Sequence, residues 1–141
     1  MSAIPISVLN KFYEKDSLRN TENGFEVLFR NRLAPTTLIG VGPLSIDGAQ
    51  FSGQQLIVQV ERPREGHSRP PTPIVRNAKE IEEGKSVPFG VNATARIVVH
   101  GQQLHPGPYR VALALCTKEV GDIVVTADDE IVADQADDAN L

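Results

Sequence analysis

Three histidines, one cysteine and a scatter of serines are the side chains in this sequence with the chemistry to act as ligands or nucleophiles. His100 and His105 flank a glycine turn and are placed to meet across it. A metal site there would need a third ligand and groups that orient the imidazoles. A small cupin-like metalloenzyme therefore requires His100, His105 and a carboxylate to converge; turn and strand-end histidines are the commoner reading. Cys116 alternates with large apolar residues on the small-residue side of a strand, where a buried, inert thiol is expected rather than a nucleophile. Ser17, Ser45 and Ser86 sit in no nucleophile-elbow context. "GVGP" at residues 40–43 lacks the Lys-Ser/Thr and helix start of a phosphate loop, so its glycines mark a bulge. No complete catalytic set and no metal-ligand set is assigned.

The other chemical concentration is "VERPREGHSRPPTPIVRN", residues 60–77, with four arginines, His67 and prolines at 63, 70, 71 and 73. Proline at this density excludes a helix or a central strand. An irregular excursion is expected from residue 62 to about residue 90. Loops of that length in compact domains carry function or are disordered. Its prolines restrict the backbone and so reduce the entropy lost on docking. Arg62, Arg64, His67 and Arg69, with Phe89 at the far end, are the candidate residues facing a partner or substrate. Their donors suit an anionic or oxygen-rich target.

The elements that must hold these residues read as strands. Phe25, Val27 and Phe29 alternate with Glu26, Leu28 and Arg30, which is the period of two of a half-buried strand. Leu56, Val58 and Val60 repeat it, as do Ala95, Ile97 and Val99. Pro43 interrupts "TTLIGVGPLSI" and demands an edge position or a bulge, and Asp47-Gly48 is a turn. "LHPGPY" at residues 104–109 is a proline-glycine turn leading an aromatic into a sandwich strand. In "YRVALALCT", Tyr109, Val111, Leu113 and Leu115 face one way, and Arg110, Ala112, Ala114 and Cys116 the other. Outer faces of sandwich strands are normally polar. The small, weakly polar set Ala112, Ala114 and Cys116 implies cover, either by a segment of the same chain or by a partner protein. "RNAKEIEEGK" at residues 76–85 is the one helical turn. The expected fold is an all-β antiparallel β-sandwich, jelly-roll or Ig-like, with one long Pro/Arg-rich loop.

A chain of 141 residues, 40% hydrophobic, has enough apolar material for one buried core, although it contains no Trp. The net charge of −4 is uneven, since residues 127–141 hold six acids and no base. The expected layout is a single domain over 1–126, with residues 62–90 as its excursion, and an acidic tail over 127–141. Without that tail, 14 basic residues face 12 acidic ones, too even a balance for a nucleic-acid footprint. No apolar run approaches membrane-spanning length. One cysteine excludes an internal disulfide, and the first residues do not read as a signal peptide, so the expected compartment is cytoplasmic.

"KDSLRNTENGFEVLFRNRLAPTTLIGVGPLSIDG" (15–48), "SVPFGVNATARIVV" (86–99) and "LHPGPYRVALAL" (104–115) together resemble the small β subunit of bacterial C-glycoside deglycosidases. The resemblance runs over most of residues 11–130. It rests on the order of "SLRN", "GFE", the "DG" turn, "PFG" before a strand, and "PGPY". It implies a β-sandwich held by a larger TIM-barrel α subunit related to sugar isomerases, in a hetero-oligomer. A divalent metal, manganese by expectation, belongs to that partner; no cofactor is expected in this chain. The implied reaction breaks the C–C bond between a 3-oxo-sugar and an aromatic aglycone. The 3-keto group acidifies the neighbouring C2 proton, metal and base in the barrel abstract it, and the aryl group at C1 leaves by elimination. This chain would be the accessory subunit of that lyase, walling a shared site for the 3-oxo-C-glycoside, and no catalytic residue transfers to it. The alternative is a stand-alone, non-enzymatic sandwich that binds a ligand or protein, with its Ala112–Cys116 face covered by its own chain.

Overall fold

The computed structural model describes residues 10–63, 66 and 72–132. Alternating apolar residues build two antiparallel sheets. The first has the order β1 (Arg19–Asn20), β2 (Gly24–Arg30), β8 (Thr94–His100), β5 (Leu56–Glu61), β6 (Ile74–Asn77). The second runs β10 (Gly121–Ile131), β9 (Gly107–Thr117), β3 (Thr36–Ile46), β4 (Ala49–Phe51), and β7 (Val87–Phe89) pairs with the first residues of β3. The all-β sandwich expected from the periodicity is the observed fold.

The core lies between the sheets. Phe25, Val27, Phe29, Leu56, Val58 and Ile97 come from one side; Leu38, Leu44, Val111, Leu113 and Val125 come from the other. Each fully buried side chain of this size contributes about 2 kcal/mol. Phe25 and Phe51 meet edge-on with centroids 5.4 Å apart, which joins the two layers through a favourable aromatic geometry. Pro43 sits in a central strand at a bulge: the β3–β9 register shifts between Val41 and Leu44, so the missing N–H costs no ladder bond. Gly42 beside it has φ +106°, and a Cβ there would lie 2.9 Å from Leu56 Cδ1. Glycine is required at that point by both conformation and space.

Tyr109 opens β9 and donates its hydroxyl to His105 O at 2.7 Å, fixing the proline-glycine corner to the strand it leads into. The one α-helix among the described residues, α1 (Ala78–Glu82), is capped by Asn77. The Asn77 side chain accepts from Glu80 N at 2.8 Å, and Asn77 N donates to Glu80 Oε1 at 2.9 Å. This reciprocal cap satisfies two otherwise orphaned donors. Ala78 and Ile81 are buried, so the short helix anchors its segment to the core.

Three sequence expectations need correction. Residues 62–90 are not one irregular excursion, because β6, α1 and β7 occupy residues 74–89. Val75 and Ile74 pair onto β5, which the proline count concealed. Phe89 does not face a partner or substrate: it is 1% exposed, in the core, because Val87 and Phe89 alternate inward on β7. Residues 127–131 are not tail. They complete β10: Asp128 and Glu130 point outward, while Ala127, Asp129 and Ile131 share the other side, with Ile131 buried and Asp129 held by two donors.

Candidate functional site

The outward face of the second sheet follows from the alternation in β9. Val111, Leu113 and Leu115 are buried, which turns Ala112, Ala114 and Cys116 outward. Strand register places Thr126, Val124 and Asp122 of β10 beside them on one side, and Ser45 and Gly40 of β3 on the other. Val124 is 52% exposed and Ile39 is 40% exposed at the flanks, while Ala112, Ala114 and Cys116 are half-buried, and Thr126 N and Oγ1 donate to Asn10 Oδ1 of the N-terminal segment at 3.4 Å. The result is a surface of small side chains, bordered by two aliphatic ones and interleaved with Ser45, Thr126 and Asp122. Such a surface lets a partner backbone approach closely.

Cys116 lies in this surface rather than beneath it. The neighbouring Asp122 and partial desolvation push its thiol above the usual value. The thiolate required for nucleophilic attack is therefore disfavoured by its own cross-strand neighbour.

The outward face of the first sheet has a different composition. Glu26 is 6% exposed although it points away from the core. Arg19 Nε donates to Glu26 Oε2 at 2.8 Å, and Arg96 Nη1 donates to the same oxygen. Two guanidinium groups thus compensate one desolvated carboxylate, and the pairing staples the two-residue β1 to β2 and β8. Around this triad lie half-buried Leu28, Ile57 and Val98, with Val75 48% exposed on β6.

A cleft of about 900 Å³ opens where the edge of β1, the 101–106 connection and the end of β10 meet. Asn20 Nδ2 donates to Leu104 O and Leu104 N donates to Asn20 Oδ1, each at 2.8 Å. Gln103 Nε2 donates to Thr21 O at 2.6 Å. These bonds are spent on joining β1 to the connection, so the amides act as wall rather than as free ligands. Tyr13 donates its hydroxyl to Asp129 Oδ2, which also accepts from Leu18 N at 3.1 Å. Burial, reinforced by the Asp129 carboxylate, drives the Tyr13 phenol far above its ordinary value and keeps it a donor.

The sequence candidates separate on this frame. Ala112, Ala114 and Cys116 are brought together as expected. Arg62 is exposed just beyond β5, and Arg64, His67 and Arg69 lie outside the described residues. His105 reaches the cleft rim, while His100 is the exposed last residue of β8 and is not among the cleft's lining residues. Among the described residues no three His, Cys, Asp or Glu side chains gather at metal-binding distance, so the convergence required for a cupin-like centre does not form. The cleft and the first-sheet face were both missed. Leu28, Ile57, Val75 and Val98 carried the signal for the face, as apolar residues on the outward side of their strands.

A family model described as "Hydroxymethylglutaryl-CoA reductase, N-terminal domain" matches residues 8–132. No curated protein matches the chain. Among solved structures, a family 123 glycoside hydrolase from Clostridium perfringens, described for its hydrolysis of glycolipid glycans, is similar at 17% identity with a TM-score of 0.34. The match covers 77% of this chain and 20% of that one, and at this score it carries no argument.

Proposed function

The chain belongs to the family of the hydroxymethylglutaryl-CoA reductase N-terminal domain, and from that premise we propose that it is an accessory β-sandwich serving a separate catalytic unit. The observation that carries this reading is the outward, half-buried set Ala112, Ala114 and Cys116 beside the exposed Val124 on the second sheet. A solitary sandwich would turn polar side chains outward at those positions. The family description itself names a domain of an enzyme. The described residues offer a well-built scaffold and no nucleophile–base pair.

The catalytic unit favoured by the sequence resemblance is the TIM-barrel α subunit of a C-glycoside deglycosidase. In that complex the barrel supplies the divalent metal and the base, and the substrate is a 3-oxo-C-glycoside. This sandwich buttresses the barrel through its second-sheet face, with Arg62, exposed just beyond β5, at the shared mouth. The decisive experiment co-purifies this chain with a sugar-isomerase-like barrel protein and measures release of the aglycone from a 3-oxo-C-glycoside. Cleavage that depends on both chains supports the reading. Full cleavage by the barrel alone, or no association, removes it.

A second reading follows from the family match over residues 8–132, in which the catalytic unit is a hydroxymethylglutaryl-CoA reductase. It is separated by the same preparation, assayed for reduction of hydroxymethylglutaryl-CoA. Either activity keeps the accessory role and changes only the identity of the catalytic unit.

A further inference from the structure

The first sheet carries a charge arrangement that the proposed catalytic partner does not use. Its outward residues fall in rows across the strands. One row is Arg30 on β2, Thr94 on β8 and Glu61 on β5. The next is Leu28, Arg96, Gln59 and Val75, and the third is Glu26, Val98, Ile57 and Asn77. Arg30 and Glu61 therefore stand on the same row, two strands apart, about 10 Å at ordinary strand spacing. Among the described residues neither takes part in an ion pair, and Arg30 Nε is buried without a hydrogen-bond partner.

We infer that this face is the interface of a two-fold dimer of the chain, in which Arg30 of each copy meets Glu61 of the other. The geometry of the rows leads to that operator. A two-fold axis running along the central strand β8, in the plane between two stacked sheets, lays β2 of one copy over β5 of its mate. Row one is then brought onto row one, and Arg30 and Glu61 form two reciprocal pairs. The same operation sets Val98 on the axis against its own mate, and lays Leu28 over the mate's Gln59 and Ile57 over the mate's Glu26, so Arg30 with Glu61 is the one oppositely charged match in the rows. This is the self-complementary pattern that a two-fold interface demands, at the roughly 10 Å separation and near-aligned strand directions of ordinary sheet stacking.

Arg96 also lies on the axis and faces its own symmetry mate. Left bare, that approach would be repulsive. Glu26 removes the difficulty, because its carboxylate already holds both Arg96 and Arg19 within the same chain. The inference explains why a buried carboxylate stands on an outward face: it neutralises the one like-charge contact that the symmetry creates.

The test is sedimentation equilibrium on the full chain alone, at low and high salt. The wild type is expected to dimerise, more tightly at low salt. Arg30→Glu and Glu61→Arg, each checked for an unchanged circular dichroism spectrum and melting curve, should raise the dissociation constant about a hundredfold, since each creates two like-charge contacts. The double variant Arg30→Glu/Glu61→Arg should recover most of that loss. A monomeric wild type overturns the inference, as does a dimer that tolerates both single reversals or that the double reversal fails to restore. Binding of the catalytic subunit gives an independent readout: the single reversals should leave it intact, because it uses the other sheet.

Discussion

The two outward faces of this sandwich differ in how they are kept soluble and in what each could accept. The second sheet turns out Ala112, Ala114 and Cys116, side chains too small to fill space or make specific bonds. With Ser45, Thr126 and Asp122 beside them, they would leave the selection of the proposed catalytic partner to shape. The first sheet turns out Leu28, Ile57 and Val98 among Arg19, Arg30, Arg96, Glu26 and Glu61. Its contacts are specified by charge position, so few surfaces fit it and a rotated copy of itself is one. One fold thus carries a permissive face and a selective face, separated by the thickness of a single core.

Phe89 lies in the core between the two faces, so Phe89→Ala is the strongest test that they share one scaffold. It should cost about 3–5 kcal/mol and lower the melting temperature with both associations weakened together. A loss confined to activity would return Phe89 to a substrate-facing role. Ala114→Arg should separate the faces cleanly. An unpaired charge in the middle of the small-residue surface should weaken catalytic-subunit binding by about 3 kcal/mol, measured by titration calorimetry, while the homodimer persists.

Glu26→Gln acts on the selective face alone. Removing the charge shared by Arg19 and Arg96 should cost about 1–3 kcal/mol of folding stability and weaken the dimer, leaving the Ala114 surface unaffected in binding assays. The smallest expected effect is at the seam. The Tyr13 phenol is raised in the folded state, so its stabilising contribution is fully present below the ordinary value of 10.0 and is lost as pH climbs above it. Chemical denaturation from pH 8 upward should show that decline, and Tyr13→Phe should flatten it at a cost of about 1 kcal/mol near neutrality.

Much of the scaffold was legible before any coordinates. A period of two in β2, β5, β8 and β9 is a direct consequence of the pleat, and it named Phe25, Val27, Phe29, Leu113 and Leu115 as core. The capped turn at Asn77 and the Tyr109 corner were local chemistry, and both were anticipated as a helical turn and as the lead into a strand. What misled the reading was density of composition. Four prolines at residues 63–73 suggested an irregular excursion that extended to residue 90, although β6, α1 and β7 occupy residues 74–89. Acids at 128–130 suggested a tail, although Ala127 and Ile131 keep the strand alternation going.

By itself the sequence determined which side of each strand is wet, because neighbouring side chains must point to opposite faces. It confined Pro43 to an edge or a bulge, since proline lacks the N–H that a regular ladder would need, and strand pairing selected the bulge. Only the tertiary structure decided which strands are neighbours. Arg30 and Glu61 are distant in the chain, and their common row exists because β8 runs between β2 and β5. Asp129 met Tyr13 and Glu26 met Arg96 for the same reason. Alternation is a local property of the backbone, whereas strand order follows from how the whole apolar surface is buried at once.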